Sequence, residues 1–99
     1  MMTLEQFTEK VSEAAKKAPS LGKSIKLVLD EGVVHIDLTG EEAKVTNEDL
    51  DANTTITTSI DALDKLRKGE LNPMMAMMSG KVKIKGDMSL AMKLQSLLS

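Results

Sequence analysis

Apolar side chains recur at three- and four-residue steps in some stretches of this chain and at every second residue in others. Leu4, Phe7, Val11, Ala14 and Ala18 predict a first amphipathic helix, with Thr3 as its cap and Pro19 as its limit. Ile25, Leu27 and Leu29 then alternate with Lys26, Val28 and Asp30, and Val34, Ile36 and Leu38 alternate with His35 and Asp37. That period of two predicts a pair of strands joined in a hairpin at Asp30, Glu31 and Gly32. Thr39, Gly40 and Glu41 offer a second turn into a short strand over residues 43–46, so the first half is expected to be an antiparallel meander. The acidic stretch 47–53 has no periodicity and is expected to be a loop.

Thr54 to Thr58 is β-branched at every position and predicts a further strand. Ser59 can then cap a helix carrying Ile60, Leu63 and Leu66, which Gly69 ends. Asn72 followed by Pro73 is a helix start, an acceptor side chain before a residue with no N–H to satisfy, and Gly80 closes that short helix. Residues 81–85 alternate Lys with Val and Ile as a strand does, and Asp87 caps a final helix that runs to Leu98. On that helix Ser89, Lys93 and Ser96 share one polar stripe, while Met88, Leu90, Ala91, Met92, Leu94, Leu97 and Leu98 cover more of the circumference than packing on a sheet requires. The surplus needs the methionine helix, a bound lipid or a second subunit. Gln95 falls on the same apolar side, where its amide must either hold a backbone group or meet the polar end of a ligand.

Composition changes the picture in two places. All six internal methionines lie between Met74 and Met92, and the unbranched, polarizable thioether makes such a cluster adaptable to apolar partners of varied shape. Charge is also uneven: residues 1–59 hold six basic and eleven acidic groups and residues 60–99 seven and four, so −5 is followed by +3. The basic part is the methionine part, a pairing that would suit an anionic headgroup or membrane surface, although charge alone favours an ordinary solvated face of lysines. Otherwise 41% apolar and 28% charged residues over 99 positions describe one globular domain, residues 1–99, with no bilayer-spanning run and no secretion signal in the first sixteen residues. A cytoplasmic location is expected.

Several chemistries have no residues to carry them. Without cysteine there is no disulfide, thiolate metal site or thiol nucleophile. His35 is the single imidazole. It is expected to be an exposed strand residue with Asp37 on the same face, and no Gly-x-Ser-x-Gly elbow supplies a nucleophile for it. No glycine-rich phosphate loop occurs, and Glu41, Glu42, Glu48, Asp49 and Asp51 lack calcium-loop spacing. A single aromatic residue, Phe7, leaves almost no platform for nucleic-acid bases. The expectation is a chain with no catalytic constellation, metal or cofactor.

The run Gly32 to Leu38, the strand-to-helix run Ile56 to Leu66, and above all Gly69 to Pro73 continuing through Lys81 to Leu94 resemble the sterol carrier protein-2 family of lipid-transfer domains. The resemblance covers nearly the whole chain. It implies an α+β fold, a five-stranded, mostly antiparallel sheet covered by helices, with an apolar tunnel between the sheet and the C-terminal helices. It implies non-covalent binding and transfer of fatty acid, fatty acyl-CoA, phospholipid or sterol. The tunnel-lining segments of the family match Leu71 to Met78 and Met88 to Leu98, which puts Leu71, Met74, Met77, Met78, Met88, Ala91, Met92, Gln95 and Leu98 forward as lipid-binding residues. Val34 stands where many members have tryptophan, and methionine where the tunnel segments often carry phenylalanine.

The expected function is therefore burial of a lipid or fatty acyl ligand, admitted by opening of the last helix, with transient docking on an anionic membrane through Lys81, Lys83 and Lys85 and no nucleic-acid partner. The rival expectation is an interaction module with no lipid ligand, whose final helix pairs with another subunit or with an enzyme; monomer and homodimer are both open.

Overall fold

The computed structural model describes residues 2–98. Its elements are α1 (Leu4–Lys16), β1 (Ser24–Leu29), β2 (Gly32–Asp37), β3 (Lys44–Thr46), β4 (Thr54–Thr57), α2 (Ile60–Arg67), α3 (Pro73–Met78), β5 (Lys83–Gly86) and α4 (Met88–Leu98). The strands form one sheet in the order β3-β2-β1-β4-β5. Three of its four pairings are antiparallel, and β1 with β4 is the parallel exception. The expected meander is β1 to β3, with Leu29 paired to Gly32 across a two-residue turn.

Period-two burial makes one face of this sheet the floor of the core. Val34, Leu27, Ile56 and Ile84 form a row across four strands, and the first three are buried. Helix α1 lays Phe7, Val11 and Ala15 on that floor, and α2 and α4 complete the cover with Ile60, Leu63, Leu66, Leu90, Leu94 and Leu98. Each start signal acts as expected. Thr3 and Gln6 form a reciprocal capping box on α1, Ser59 Oγ accepts from the Ala62 N–H, and Asn72 Oδ1 accepts from the N–H groups of Met74 and Met75.

The opposite face carries a finding about His35. Because β4 lies on the far side of β1 from β3, the chain over residues 47–53 must cross the sheet, and it crosses the face away from the helices. There Lys26 pairs with Asp49 at 2.9 Å, and His35 Nε2 donates to the Asp51 carbonyl at 2.9 Å. His35 is consequently only 6% exposed, not the solvated strand residue its alternation suggests. A carbonyl can only accept, so Nε2 holds the ring proton and the imidazole serves to pin the loop.

Strand β5 begins two residues later than the alternation of 81–85 predicts. The N–H groups of Lys81 and Val82 both bond the Ala76 carbonyl, at 2.9 and 3.2 Å, so this stretch still closes α3 and joins the sheet only at Lys83. At the other end of β5, Gly86 has φ +111, and a Cβ there would lie 2.4 Å from the Asn53 carbonyl oxygen. Only glycine fits so close an approach. Next to it the buried Thr54 hydroxyl accepts from the Asp87 N–H at 3.0 Å and donates to the Asp87 carbonyl at 3.3 Å, locking the entry to α4.

Candidate functional site

An apolar cleft lies between the sheet and the three later helices. Its floor is Ile56, Val82 and Ile84; α2 contributes Leu63 and Leu66, α3 Pro73 and Met77, and α4 Ala91, Met92, Leu94, Gln95 and Leu98. The position of each follows from local rules. Ile56 and Ile84 are paired residues on the inward face. Leu63 and Leu66 stand three apart on α2, and Ala91, Leu94 and Leu98 follow the three- and four-residue steps of α4. Gln95 is the single polar side chain of the lining, half-buried and engaged in a hydrogen bond or other polar contact.

The cleft holds about 40 Å³, against the roughly 300–1,000 Å³ of typical small-molecule pockets. It is therefore closed down to a seam of side chains. Two of the larger depressions have other chemistry. The groove between α1 and α2, about 650 Å³, is lined mainly by Gln6, Glu9, Lys10, Glu13, Asp61, Asp64 and Lys68. A second, about 600 Å³, runs past Asp61, Lys65, Glu70, Lys81 and Lys83. Both present charged side chains to solvent and lack the apolar enclosure that selects a lipid.

Of the nine residues put forward from the sequence, Met77, Ala91, Met92, Gln95 and Leu98 meet around this cleft. The other four do not. Leu71 lies in the groove beyond α2, and Met88 is exposed at the start of α4. Met74 and Met78, 67% and 86% exposed, point from α3 into solvent together with Met75 at 66%. Helical geometry accounts for the split: at roughly 100° per residue, Met74, Met75 and Met78 fall on one side of α3 and the buried Ala76 on the other, with Pro73 and Met77 flanking it toward the cleft. Ile56, Leu63, Leu66, Pro73, Val82, Ile84 and Leu94 line the cleft without having been singled out. The inward alternation of Ile56 and Ile84 and the seam of Leu94 between Leu90 and Leu98 were the signals that could have found them.

The Asp87 carboxylate is held below its ordinary pKa by the Lys23 ammonium, 3.0 Å away, and by the Leu90 and Ser89 N–H groups at the α4 start. Among the described residues no cluster of three or more His, Asp or Glu side chains is arranged to hold a metal ion, and no helix is long and apolar enough to cross a membrane. Nothing in the cleft can transfer a proton or attack a substrate, since its lining carries one amide and otherwise hydrocarbon, proline and thioether groups.

Comparison with known proteins gives a consistent set. Residues 4–99 match the model of the SCP-2 sterol transfer family. Hydroxysteroid dehydrogenase-like protein 2 of Danio rerio is 39% identical over 70 residues, which are 69% of this chain and 17% of that protein. Sterol carrier protein 2 of Bos taurus is 37% identical over 97 residues, 94% of this chain and 17% of that protein. The chain thus spans about a fifth or less of the length of these curated relatives. Among solved structures, the apo form of Sterol Carrier Protein 2 from Yarrowia lipolytica superposes with a TM-score of 0.68 at 25% identity, covering 93% of this chain and 76% of that one.

Proposed function

The chain belongs to the SCP-2 sterol transfer family, and on that footing we propose that it is a non-catalytic lipid carrier whose binding site is the cleft beneath α3 and α4. The observation that carries this reading is a lining made of apolar side chains from five elements, β4, α2, α3, β5 and α4, around one amide, Gln95. Removing apolar ligand surface from water supplies the affinity, at roughly 25 cal/mol per Å², less the cost of ordering the chain around it. Gln95 meets the polar end of the ligand. Fatty acid, fatty acyl-CoA, phospholipid and sterol-like molecules are the ligand classes.

A cleft of about 40 Å³ admits such a molecule only by opening, and α3 is the part that yields. Helix α4 is anchored by Leu90, Ala91, Leu94 and Leu98 and by the Asp87 cap, whereas α3 buries only Ala76 fully. Lifting α3 between Gly69, which follows α2, and Gly80, which follows α3, moves Pro73 and Met77 off the cleft and uncovers only Ala76 among the fully buried side chains of that helix. The route differs from opening of the last helix, which would expose four buried side chains.

Fluorescent fatty-acid titration tests the reading. Met77→Asp and Met92→Asp should each abolish binding, because a carboxylate in this lining has no partner, while Met75→Asp on the outer side of α3 should leave it unchanged. Circular dichroism and a cooperative melt confirm that the sheet is folded in all three. Undiminished binding by Met77→Asp and Met92→Asp would place the ligand elsewhere.

A further inference from the structure

The methionines of α3 and α4 fall into two groups. Met74, Met75, Met78 and Met88 are exposed and line no part of the cleft. Met77 and Met92 touch water and the cleft at once: Met92 lines the cleft while 44% of it is exposed, and Met77 lines it from α3, half-buried against the core. Apart from the Gln95 amide, every other side chain of the lining is hydrocarbon or proline. A fully buried thioether is shielded from solutes in water, and a fully exposed one can change without consequence for the interior. Met77 and Met92 have neither protection nor irrelevance, since a small oxidant reaches them from solvent while their methylenes pack on the apolar seam. An oxygen added to either sulfur would find one polar side chain in the lining, Gln95, which already holds a polar contact.

We propose that Met77 and Met92 are a reversible oxidation site that empties the cleft, a control that rests on the lipid-carrier reading. The oxidant is a hydroperoxide, of which hydrogen peroxide is the simplest. A lone pair of the thioether sulfur attacks one peroxide oxygen, the O–O bond breaks and a sulfur–oxygen bond forms; the second oxygen leaves as hydroxide and takes the proton of the first to become water. Sulfur loses two electrons and the peroxide gains them. The sulfoxide is a polar acceptor on a chain that was apolar, and burying it beside an acyl chain without a donor is unfavourable. The oxidised side chains therefore turn to water, Met92 through its exposed side and Met77 as α3 lifts, and the lining loses hydrocarbon contact from both helices. Sulfoxide reductases return the thioether, which makes the change a switch. The coupling runs both ways, because a bound lipid covers the two sulfurs and slows their oxidation while leaving Met74, Met75 and Met78 open to it.

Titration with a fluorescent fatty acid before and after hydrogen peroxide treatment tests this. Oxidised wild-type protein should bind about tenfold more weakly with an unchanged circular dichroism spectrum, and methionine sulfoxide reductases A and B together should restore its affinity. The outer variant Met74→Leu, Met75→Leu, Met78→Leu should bind as wild type does and suffer the same loss on oxidation. The inner variant Met77→Leu, Met92→Leu, whatever its starting affinity, should lose nothing further. Peptide mass mapping should show that saturating fatty acid slows oxygen addition at Met77 and Met92 and leaves the rate at Met75 unaltered. An inner variant that weakens on oxidation as wild type does would overturn the proposal. So would wild-type protein that keeps its affinity once both sulfurs carry oxygen, a loss of binding that accompanies a melted sheet, or equal oxidation rates at Met77 and Met92 with and without ligand. In each of these cases the unoxidised protein still binds the probe, and the carrier reading stands. Failure of unoxidised wild-type protein to bind any fatty acid would remove the carrier reading and the oxidation site with it.

Discussion

The two ends of the core are built from different materials. Under α1, Phe7 and Val11 meet Ile25, Leu27, Val34 and Ile36, and none of the six is more than 1% exposed. Around α3 and the start of α4 the outer cover is methionine, laid over a floor of Ile56, Leu63, Leu66, Val82 and Ile84, and Met74, Met75, Met78, Met88 and Met92 are all substantially in water. Branched and aromatic side chains with few rotamers give a close-packed interior that tolerates little change. Thioether chains with three free torsions give a surface that can repack around different guests. The same sheet thus carries a close-packed half that defines the fold and an adaptable half that carries the proposed ligand exchange.

The sharpest test of this contrast compares one large side chain from each half. Phe7→Ala should cost about 3–5 kcal/mol in urea unfolding, by lost transfer energy and the cavity left behind, whereas Met78→Ser should change stability by less than about 0.5 kcal/mol. Equal costs would break the division between the two regions.

A smaller effect is expected at the joint between the halves. Thr54→Val keeps the side-chain volume but strips the hydroxyl from both backbone groups of Asp87, and should cost about 1–3 kcal/mol. Because the joint leads into α4, hydrogen exchange in the variant should quicken in α4 more than in α1; uniform quickening would mean that the halves unfold as one.

The smallest effect concerns pH. The Lys23 ammonium, then the α4 amides, hold the Asp87 pKa below its ordinary value, so the folded state favours the carboxylate. That contribution is fully present above about pH 4, the ordinary carboxylate pKa, and is lost as pH falls through the lower folded value. Asp87→Asn, which keeps the acceptor oxygen and removes the charge, should flatten this part of the acid titration of α4 while stability near pH 7 changes only slightly. An unchanged acid limb would show that other carboxylates govern it.

The chain's pattern shows how much of this could be read without a structure. All nine elements were legible because each depends on neighbours in sequence: the Thr3, Ser59, Asn72 and Asp87 caps, the alternation in β1 and β2, and the glycines after α2 and α3. Boundaries slipped where a bond from outside the element decided them, as at Lys81 and Val82, which the Ala76 carbonyl keeps out of β5. His35 was misread for the same reason, since its burial comes from a loop 16 residues further on. The site divided likewise. Five of nine residues meet at the cleft because α4 shows a regular face, but α3 is barely longer than one and a half turns, and nothing in four methionines within five residues tells which side will turn inward.

What the sequence determined by itself was therefore local: which segments are helix or strand, where they start, and that an adaptable apolar cluster lies beside a basic strand. What only the tertiary structure decided was the parallel insertion of β4 beside β1, the burial of His35, the choice of Met77 and Met92 rather than Met74 and Met78 for the cleft, and the closing of that cleft to a seam. The physical reason is the range of the interactions. Caps and periodicity act over one or two turns of chain, whereas pairing order and the facing of a short helix are set by long-range contacts that a one-dimensional pattern does not contain.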